Sequence, residues 1–437
     1  MNDAAAHHAV TGELAALRHA LHQRLVGAID FATADKLGRE RFAEACRTRA
    51  AQLLDETGRR LADDDRAWLL RGVLDDMFGL GPLEPLLADS DISDILVVRH
   101  DHVFIERQGR LEPSRVHFRD QAHLMHVIQR IVRNAGRRID ERNPMVDARL
   151  ADGSRVNAII PPLAIDGPQL SIRRFPERPF DLERLVQVGS VAPATASLLR
   201  AAVAGRLNIV FSGGAGVGKT TILNAASAFL VPGERVITIE DAAELRLHGD
   251  HVVRLETRTA NVESVGQVTT RDLVRNALRM RPDRIIVGEC RGAEALDMMQ
   301  AMNTGHEGSM TTLHANSARD TMIRLETMLS MGGYDMPVRV LREYVASAIQ
   351  LIVHMTRLPD GRRVVGEVAE VQGCDESGVR LRALHRYRLD AFTNGRAIGQ
   401  FEATGVTPEF AARLAARGQP IDSRLFAAGP LGDATAP

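Results

Sequence analysis

The sequence predicts an α/β chain: a parallel-sheet domain in the C-terminal half, an α+β segment before it, and helices at the N-terminus. Three observations carry this. From Ala192 onward, short apolar runs alternate with helical stretches, as in strands joined by crossover helices. A glycine-rich loop, Gly213 to Thr220, stands between one such run and one such helix. Between residues 79 and 180, short alternating runs surround a single amphipathic stretch.

Taken in order, residues 1–78 read as a helical region. Leu14, Leu17, Leu21, Leu25 and Ile29 fall near helical spacing, and Phe42 to Leu61 and Ala67 to Phe78 carry similar stripes. A turn cluster at Gly79, Gly81, Pro82 and Pro85 opens the α+β segment, residues 79–180. Its strands are expected at Ile92–Arg99, His102–Glu106, Ala148–Leu150, Arg155–Ile160 and Leu170–Arg174, with a helix over Ala122–Ala135. Residues 181–191, following Pro176 and Pro179, read as a linker. The main domain is expected over residues 192–425, with strands at Leu207–Phe211, Val236–Ile239, Val252–Leu255, Ile285–Val287 and Leu351–His354. Residues 426–437, rich in Ala, Gly and Pro, read as a loose tail.

Composition narrows the function classes. At 437 residues the chain has room for two or three domains of about 100–200 residues each. Its 55 basic and 56 acidic residues give no global positive field, and three Tyr and one Trp make a poor base-stacking platform. No stable nucleic-acid partner is expected. Cys46, Cys290 and Cys374 are scattered, which supports neither a disulfide framework nor a zinc ribbon. No apolar run reaches membrane-spanning length, about 18 residues. Lys36 and Lys219 are the only two lysines among the basic residues, so a specific demand for lysine becomes plausible at both.

The strongest chemical signal is Gly213-Gly214-Ala215-Gly216-Val217-Gly218-Lys219-Thr220, which satisfies GxxxxGK[ST] in the required strand–loop–helix setting, with Thr221 next in the helix. Glycines let the backbone curl so that its N–H groups point at phosphate oxygens. The helix N-terminus favours negative charge. Lys219 supplies a point charge to the phosphates, and the Thr220 hydroxyl is placed to ligate Mg²⁺.

Three further segments carry acids or histidines. Arg284-Ile285-Ile286-Val287-Gly288-Glu289 is an apolar strand ending in an acid. The usual magnesium-holding aspartate is absent, which leaves Glu289 to orient or deprotonate a water; the plainer alternative is a salt bridge to Arg291 or Arg284. Glu240, Asp241 and Glu244 cluster after Val236–Ile239, where a metal would offset their repulsion; a solvated loop near Arg246 is the alternative. Finally, His306 and His314 lie eight apart across Gly305–Asn316, without a third metal ligand of known spacing. That leaves phosphate sensing or a structural role.

Taken along the chain, Gly213–Thr220, then Glu240–Glu244, then Gly288-Glu289, then Gly305–Asn316 resemble the secretion ATPases of type II and type IV systems, where Glu240–Glu244 is the aspartate box and Gly305–Asn316 the histidine box. Ser93-Asp94-Ile95-Leu96-Val97, Phe104-Ile105-Glu106-Arg107, Gly136-Arg137-Arg138-Ile139-Asp140-Glu141, Asp147-Ala148-Arg149-Leu150, Asp152 to Pro162 and Ser171-Ile172-Arg173-Arg174-Phe175 look like the tight-adherence (Flp) pilus branch of that family. The resemblance implies a RecA-like P-loop ATPase domain preceded by a PAS-like α+β domain and an N-terminal helical bundle. It also implies ATP and Mg²⁺ as cofactors, a homo-hexamer, and a cytoplasmic motor peripheral to the inner membrane, docked on pilus platform proteins. By position, Glu289 matches the family's catalytic glutamate and Glu244 the last acid of the aspartate box. His306 and His314 match the histidine-box pair, and Arg155 and Arg173 the arginines that reach the nucleotide phosphates. A nucleic-acid-translocating ATPase of the same fold is the competing expectation.

Overall fold

The computed structural model describes residues 2–28, 38–107, 109–174, 180–247, 249–258, 266–333 and 336–431. It comprises two compact units, Met1–Glu177 and Arg178–Pro437.

The first unit opens with three helices, α1 (Asn2–Ala28), α2 (Arg39–Asp55) and α3 (Asp63–Phe78). They share a core of Leu21, Leu25, Leu53, Leu54, Leu69 and Val73. Asp63, Asp64 and Asp65 in the first turn of α3 complement the positive end of its helix dipole. Arg18 grips both oxygens of Asp76 at 2.6 and 2.9 Å, tying α1 to α3. The short α4 (Glu84–Ala88) leads into a six-stranded antiparallel sheet. Its strands are β1 (Ile92–Arg99), β2 (His102–Arg107), β3 (Arg110–Pro113), β4 (Met145–Arg149), β5 (Arg155–Ile159) and β6 (Gln169–Arg173), in the order β3-β2-β1-β6-β5-β4. One helix, α5 (Gln121–Asn134), packs on it. The Asp120 side chain caps α5 by accepting from the His123 N–H at 2.7 Å. Leu124, Val127, Ile128, Ile131 and Val132 form a single apolar stripe that joins Ile95, Val97 and Ile172 of the sheet in one core.

The second unit starts earlier than the sequence suggests. Residues 181–191, expected as a linker, form α6 (Leu182–Gln187), capped by Asp181. Leu182, Leu185 and Val191 are buried in the same core as Leu198 and Leu199 of α7 (Pro193–Ala204). Residues 175–179, which contain both prolines of that expectation, lie outside the described residues.

Next come β7 (Ile209–Gly213), α8 (Lys219–Ser227), β8 (Val236–Glu240), β9 (Val252–Glu256), α9 (Thr270–Ala277), β10 (Arg284–Cys290), α10 (Glu294–Asn303) and β11 (Met310–His314). Then follow α11 (Ala318–Ser330), α12 (Val338–Ala348), β12 (Leu351–Arg357), β13 (Arg363–Asp375), β14 (Gly378–Thr393), β15 (Arg396–Ala403), α13 (Ala411–Ala416) and β16 (Gly429–Pro430). The strands form one ten-stranded sheet in the order β16-β15-β14-β13-β12-β7-β11-β10-β8-β9. From β12 to β9 every pairing is parallel, and from β12 to β16 every pairing is antiparallel. The sheet is therefore mixed, where the sequence suggested a parallel one. β7 is buried on both faces: Ile209 and Phe211 enter one core and Val210 the other.

The expected tail is also corrected over its described part. Phe426 is 1% exposed and stacks on His385, and β16 pairs with β15. Residues 432–437 lie outside the described residues. Among the described residues, no helix is long and apolar enough to cross a membrane.

Candidate functional site

Four parallel strands end side by side. Register pairs His314 of β11 with Gly213 of β7, Leu313 with Cys290 of β10, and Val287 of β10 with Ile239 of β8. Gly213, His314, Glu289 and Glu240 consequently emerge along one edge of the sheet, the edge at which parallel α/β sheets present ligand sites.

β7 runs into the glycine-rich loop. Gly213 and Gly218 have φ of 149° and 98°, and a side chain on Gly213 would meet the Met355 carbonyl oxygen at 2.5 Å. Only glycine accommodates that turn. Gly214, Ala215, Gly216, Val217 and Gly218 belong to no helix or strand and curl through a turn at Ala215-Gly216. Ahead of a helix N-terminus, the N–H groups of such a loop make an anion-binding concavity. Lys219 opens α8 and is only 7% exposed. Its ammonium donates to the Gly214 carbonyl at 2.8 Å and lies 3.5 Å from both ring nitrogens of His314. Thr220 is half-buried in the first turn of α8, and Thr221 is exposed.

Glu289 sits between two basic side chains. Arg291 donates to its Oε2 at 2.8 Å. His314 Nε2 lies 2.9 Å from its Oε1, within ion-pair reach but off the line of a hydrogen bond. The second Arg291 amine reaches Asp241 Oδ2 at 3.4 Å, while Thr270 donates to Asp241 Oδ1 at 3.1 Å. The Glu289 hydrogen bond, reinforced by the charges of Asp241 and Glu244, raises the Arg291 pKa. Burial lowers that of His314, against the pull of Glu289, and so favours a neutral imidazole. The ion pair with Arg291 that the sequence offered as the plainer reading of Glu289 is thus present. Arg284 instead pairs with Glu234 at the opposite end of β10.

Glu240 behaves differently from the metal-ligand expectation. It is 4% exposed, and its Oε2 accepts from the N–H groups of Glu244 and Leu245 at 2.7 and 2.9 Å. Burial pushes its pKa up to about 6. It therefore shapes the acidic loop from within. The same packing accounts for Gly288: a Cβ there would meet Glu240 Cγ at 2.8 Å, so no carboxylate fits at that position. Asp241 is exposed and Glu244 half-exposed.

The histidine pair is not brought together. His314 ends β11, but His306 precedes its start, where its backbone and ring nitrogens both lie 3.3 Å from the Ala301 carbonyl. A strand separates the two. Arg155 and Arg173 face each other in register on β5 and β6 of the other unit. The sequence offers Arg291 only as an alternative partner for Glu289; it lies just past the end of β10, where the chain turns its guanidinium back onto Glu289. Thr270, which holds Asp241, sits 29 residues away in sequence and carried no local signal.

Residues 76–388 match the type II/IV secretion system protein family. A putative conjugal transfer protein of Mycobacterium tuberculosis is 41% identical over 315 residues, 71% of this chain and 89% of that relative. The conjugal transfer protein TrbB of Rhizobium radiobacter is 34% identical over 291 residues, 66% of this chain and 86% of its own length. Among solved structures, the VirB11 ATPase of the Brucella suis type IV secretion system is 31% identical, covering 70% of this chain and 96% of that one, with a TM-score of 0.37. With the family matched over more than half of its length and a relative 41% identical over 71% of it, the chain belongs to the type II/IV secretion system protein family.

Proposed function

We propose that the chain is an ATP-hydrolysing motor of the tight-adherence (Flp) pilus branch, working as a homo-hexameric ring on pilus platform proteins at the cytoplasmic face of the inner membrane. The observation that carries the hydrolytic part is the convergence of Lys219, His314, Glu289 and Arg291 at the ends of adjacent strands. The glycine-rich loop holds the phosphates of ATP, and Lys219 neutralises them. Glu289 accepts a proton from, or aligns, the attacking water. His314, neutral and within reach of both Lys219 and Glu289, reports the presence of the terminal phosphate to Glu289.

The residues present fit magnesium in its nucleotide-bound mode. Among the described residues, no three His, Cys, Asp or Glu side chains form a metal-holding group. Mg²⁺ commonly takes one or two protein oxygens and completes its shell with phosphates and water. The Thr220 hydroxyl is suited to that role, and the exposed Asp241 of the acidic loop is the second candidate oxygen. Bound there, the ion would offset phosphate charge. Arg155 and Arg173 supply bidentate guanidiniums to the terminal phosphate, a contact that ADP lacks.

The assignment to the pilus branch rests on the sequence segments between Ser93 and Arg174. Service to a conjugal or secretion apparatus is a second reading, favoured by the relatives named for those processes.

The test is ATP hydrolysis by the purified chain, with light scattering of the same preparation. Lys219→Ala should abolish binding and turnover. Arg155→Ala and Arg173→Ala should lower turnover, leave ADP affinity unchanged and prevent pilus assembly in cells. A ring should form with ATP and Mg²⁺. Parental turnover in Lys219→Ala, or a monomer under every nucleotide condition, contradicts the proposal.

A further inference from the structure

We propose that the N-terminal helices and α5 form a second anion site, for a small phosphate-bearing molecule, separate from the glycine-rich loop. A cavity of about 310 Å³ lies between them, its wall formed chiefly by His22, Arg119, His123, His126, Arg130 and Arg133. That size falls at the lower end of the range for small-molecule sites, about 300–1,000 Å³.

Charge in the wall is unbalanced. Asp76 is its single acid, and both oxygens of Asp76 are held by Arg18 at 2.6 and 2.9 Å. Arg119 has Asp120 at 3.3 Å and the ring of His19 at 2.8 Å. Arg130 donates one amine to the Asp76 backbone carbonyl at 2.9 Å, while its Nε is buried with no hydrogen-bond partner. Arg133, one turn further along α5, forms no ion pair among the described residues.

A buried donor without a partner is destabilising, and the Arg130 Nε is such a donor. An anion seated against Arg130 removes that penalty, and the exposed Arg133 beside it supplies a second guanidinium to the same anion. Guanidinium forks match phosphate oxygens with two parallel hydrogen bonds. The histidines add N–H donors. Burial is the main cause of the lowered pKa of His22 and His123, the latter falling to about 4, so both rings are neutral near pH 7 and take no further counter-charge. Because the wall draws on α1, α3 and α5, an occupant would brace the N-terminal helices against the antiparallel sheet domain.

The test uses the full chain saturated with ADP in magnesium-free buffer, so that the glycine-rich loop is already filled. Inorganic tripolyphosphate is titrated calorimetrically. One equivalent should bind per chain. The pair Arg130→Gln with Arg133→Gln should weaken it about ten-fold or more, the scale of charge-assisted bonds, with ADP affinity unchanged. Arg133→Gln alone lies on an exposed face and does not threaten the fold, so it keeps the test readable; it should weaken binding several-fold. No heat from the parent at millimolar tripolyphosphate overturns the proposal, as does equal binding by the variants. In a parallel arm, phosphatidylglycerol vesicles are sedimented with the chain. Capture by vesicles that depends on these arginines, without tripolyphosphate binding, also overturns it, in favour of a membrane-surface contact.

Discussion

At the start of β10, Arg284 has no exposed surface and closes on Glu234 with two hydrogen bonds of 2.6 and 3.2 Å. At the end of the same strand, Glu289 keeps 18% of its side chain exposed and shares Arg291 with Asp241. Four of the five donors of the first charge are met: two by Glu234 and two by the carbonyls of Val203 and Gly308, while Arg206 flanks Glu234 from the other side. The second has a histidine at ion-pair distance without a bond and a lysine just beyond. A buried pair that meets nearly all its donors locks a fold, whereas charges left half-satisfied beside an open loop retain the freedom to take a substrate. Two groups on one strand thus divide between holding the sheet and doing chemistry.

Three changes probe this division, taken by decreasing effect on stability. Arg284→Leu should be the most damaging, by about 3 kcal/mol or more, because it leaves Glu234 buried with one flanking arginine. Combining it with Glu234→Leu should restore much of the loss in chemical denaturation, and an unrecovered double variant would show that the pair is not the cause. Glu240→Gln should come second, with opposite sign. The folded-state pKa of Glu240, about 6, exceeds its ordinary value of 4.5, so its contribution to stability is full below pH 4.5 and declines as pH rises toward 6. Glutamine lacks that decline. The unfolding free energy of Glu240→Gln should therefore gain on the parent's between pH 4.5 and pH 7, by up to about 2 kcal/mol, read as a melting temperature that pulls ahead over the same range. A gap that stays constant with pH would contradict the buried-carboxylate account. The third change, at Glu289, should leave stability alone.

Much of this division was legible beforehand. The glycine-rich loop, the acid ending β10 and the acid cluster after β8 all announce themselves by local spacing, because each needs only a strand, a turn and the residues at its end. What was not legible depends on packing. Gly305–Asn316 reads as a Gly/Ser/Thr stretch, yet Met310–His314 within it is a central strand, and that placement is what sends His306 and His314 to opposite edges. Residues 181–191 read as a linker because Pro176 and Pro179 precede them; burial of Leu182 and Leu185 decides otherwise. The antiparallel extension β13–β15 has the alternation of strands, but nothing local says it continues the parallel sheet. Glu240 illustrates the limit most sharply. Its composition matches a metal ligand, and only the contact with Gly288 and the two loop amides shows it turned to another use.

The most direct measurement of the central claim is ATP turnover by Glu289→Gln, read beside its melting temperature and ADP affinity. The account predicts unchanged melting, unchanged ADP binding and a loss of hydrolysis of roughly 10²-fold or more, the scale of a missing general base. Turnover at the parental rate, or a loss of hydrolysis that merely follows a loss of stability, would contradict it.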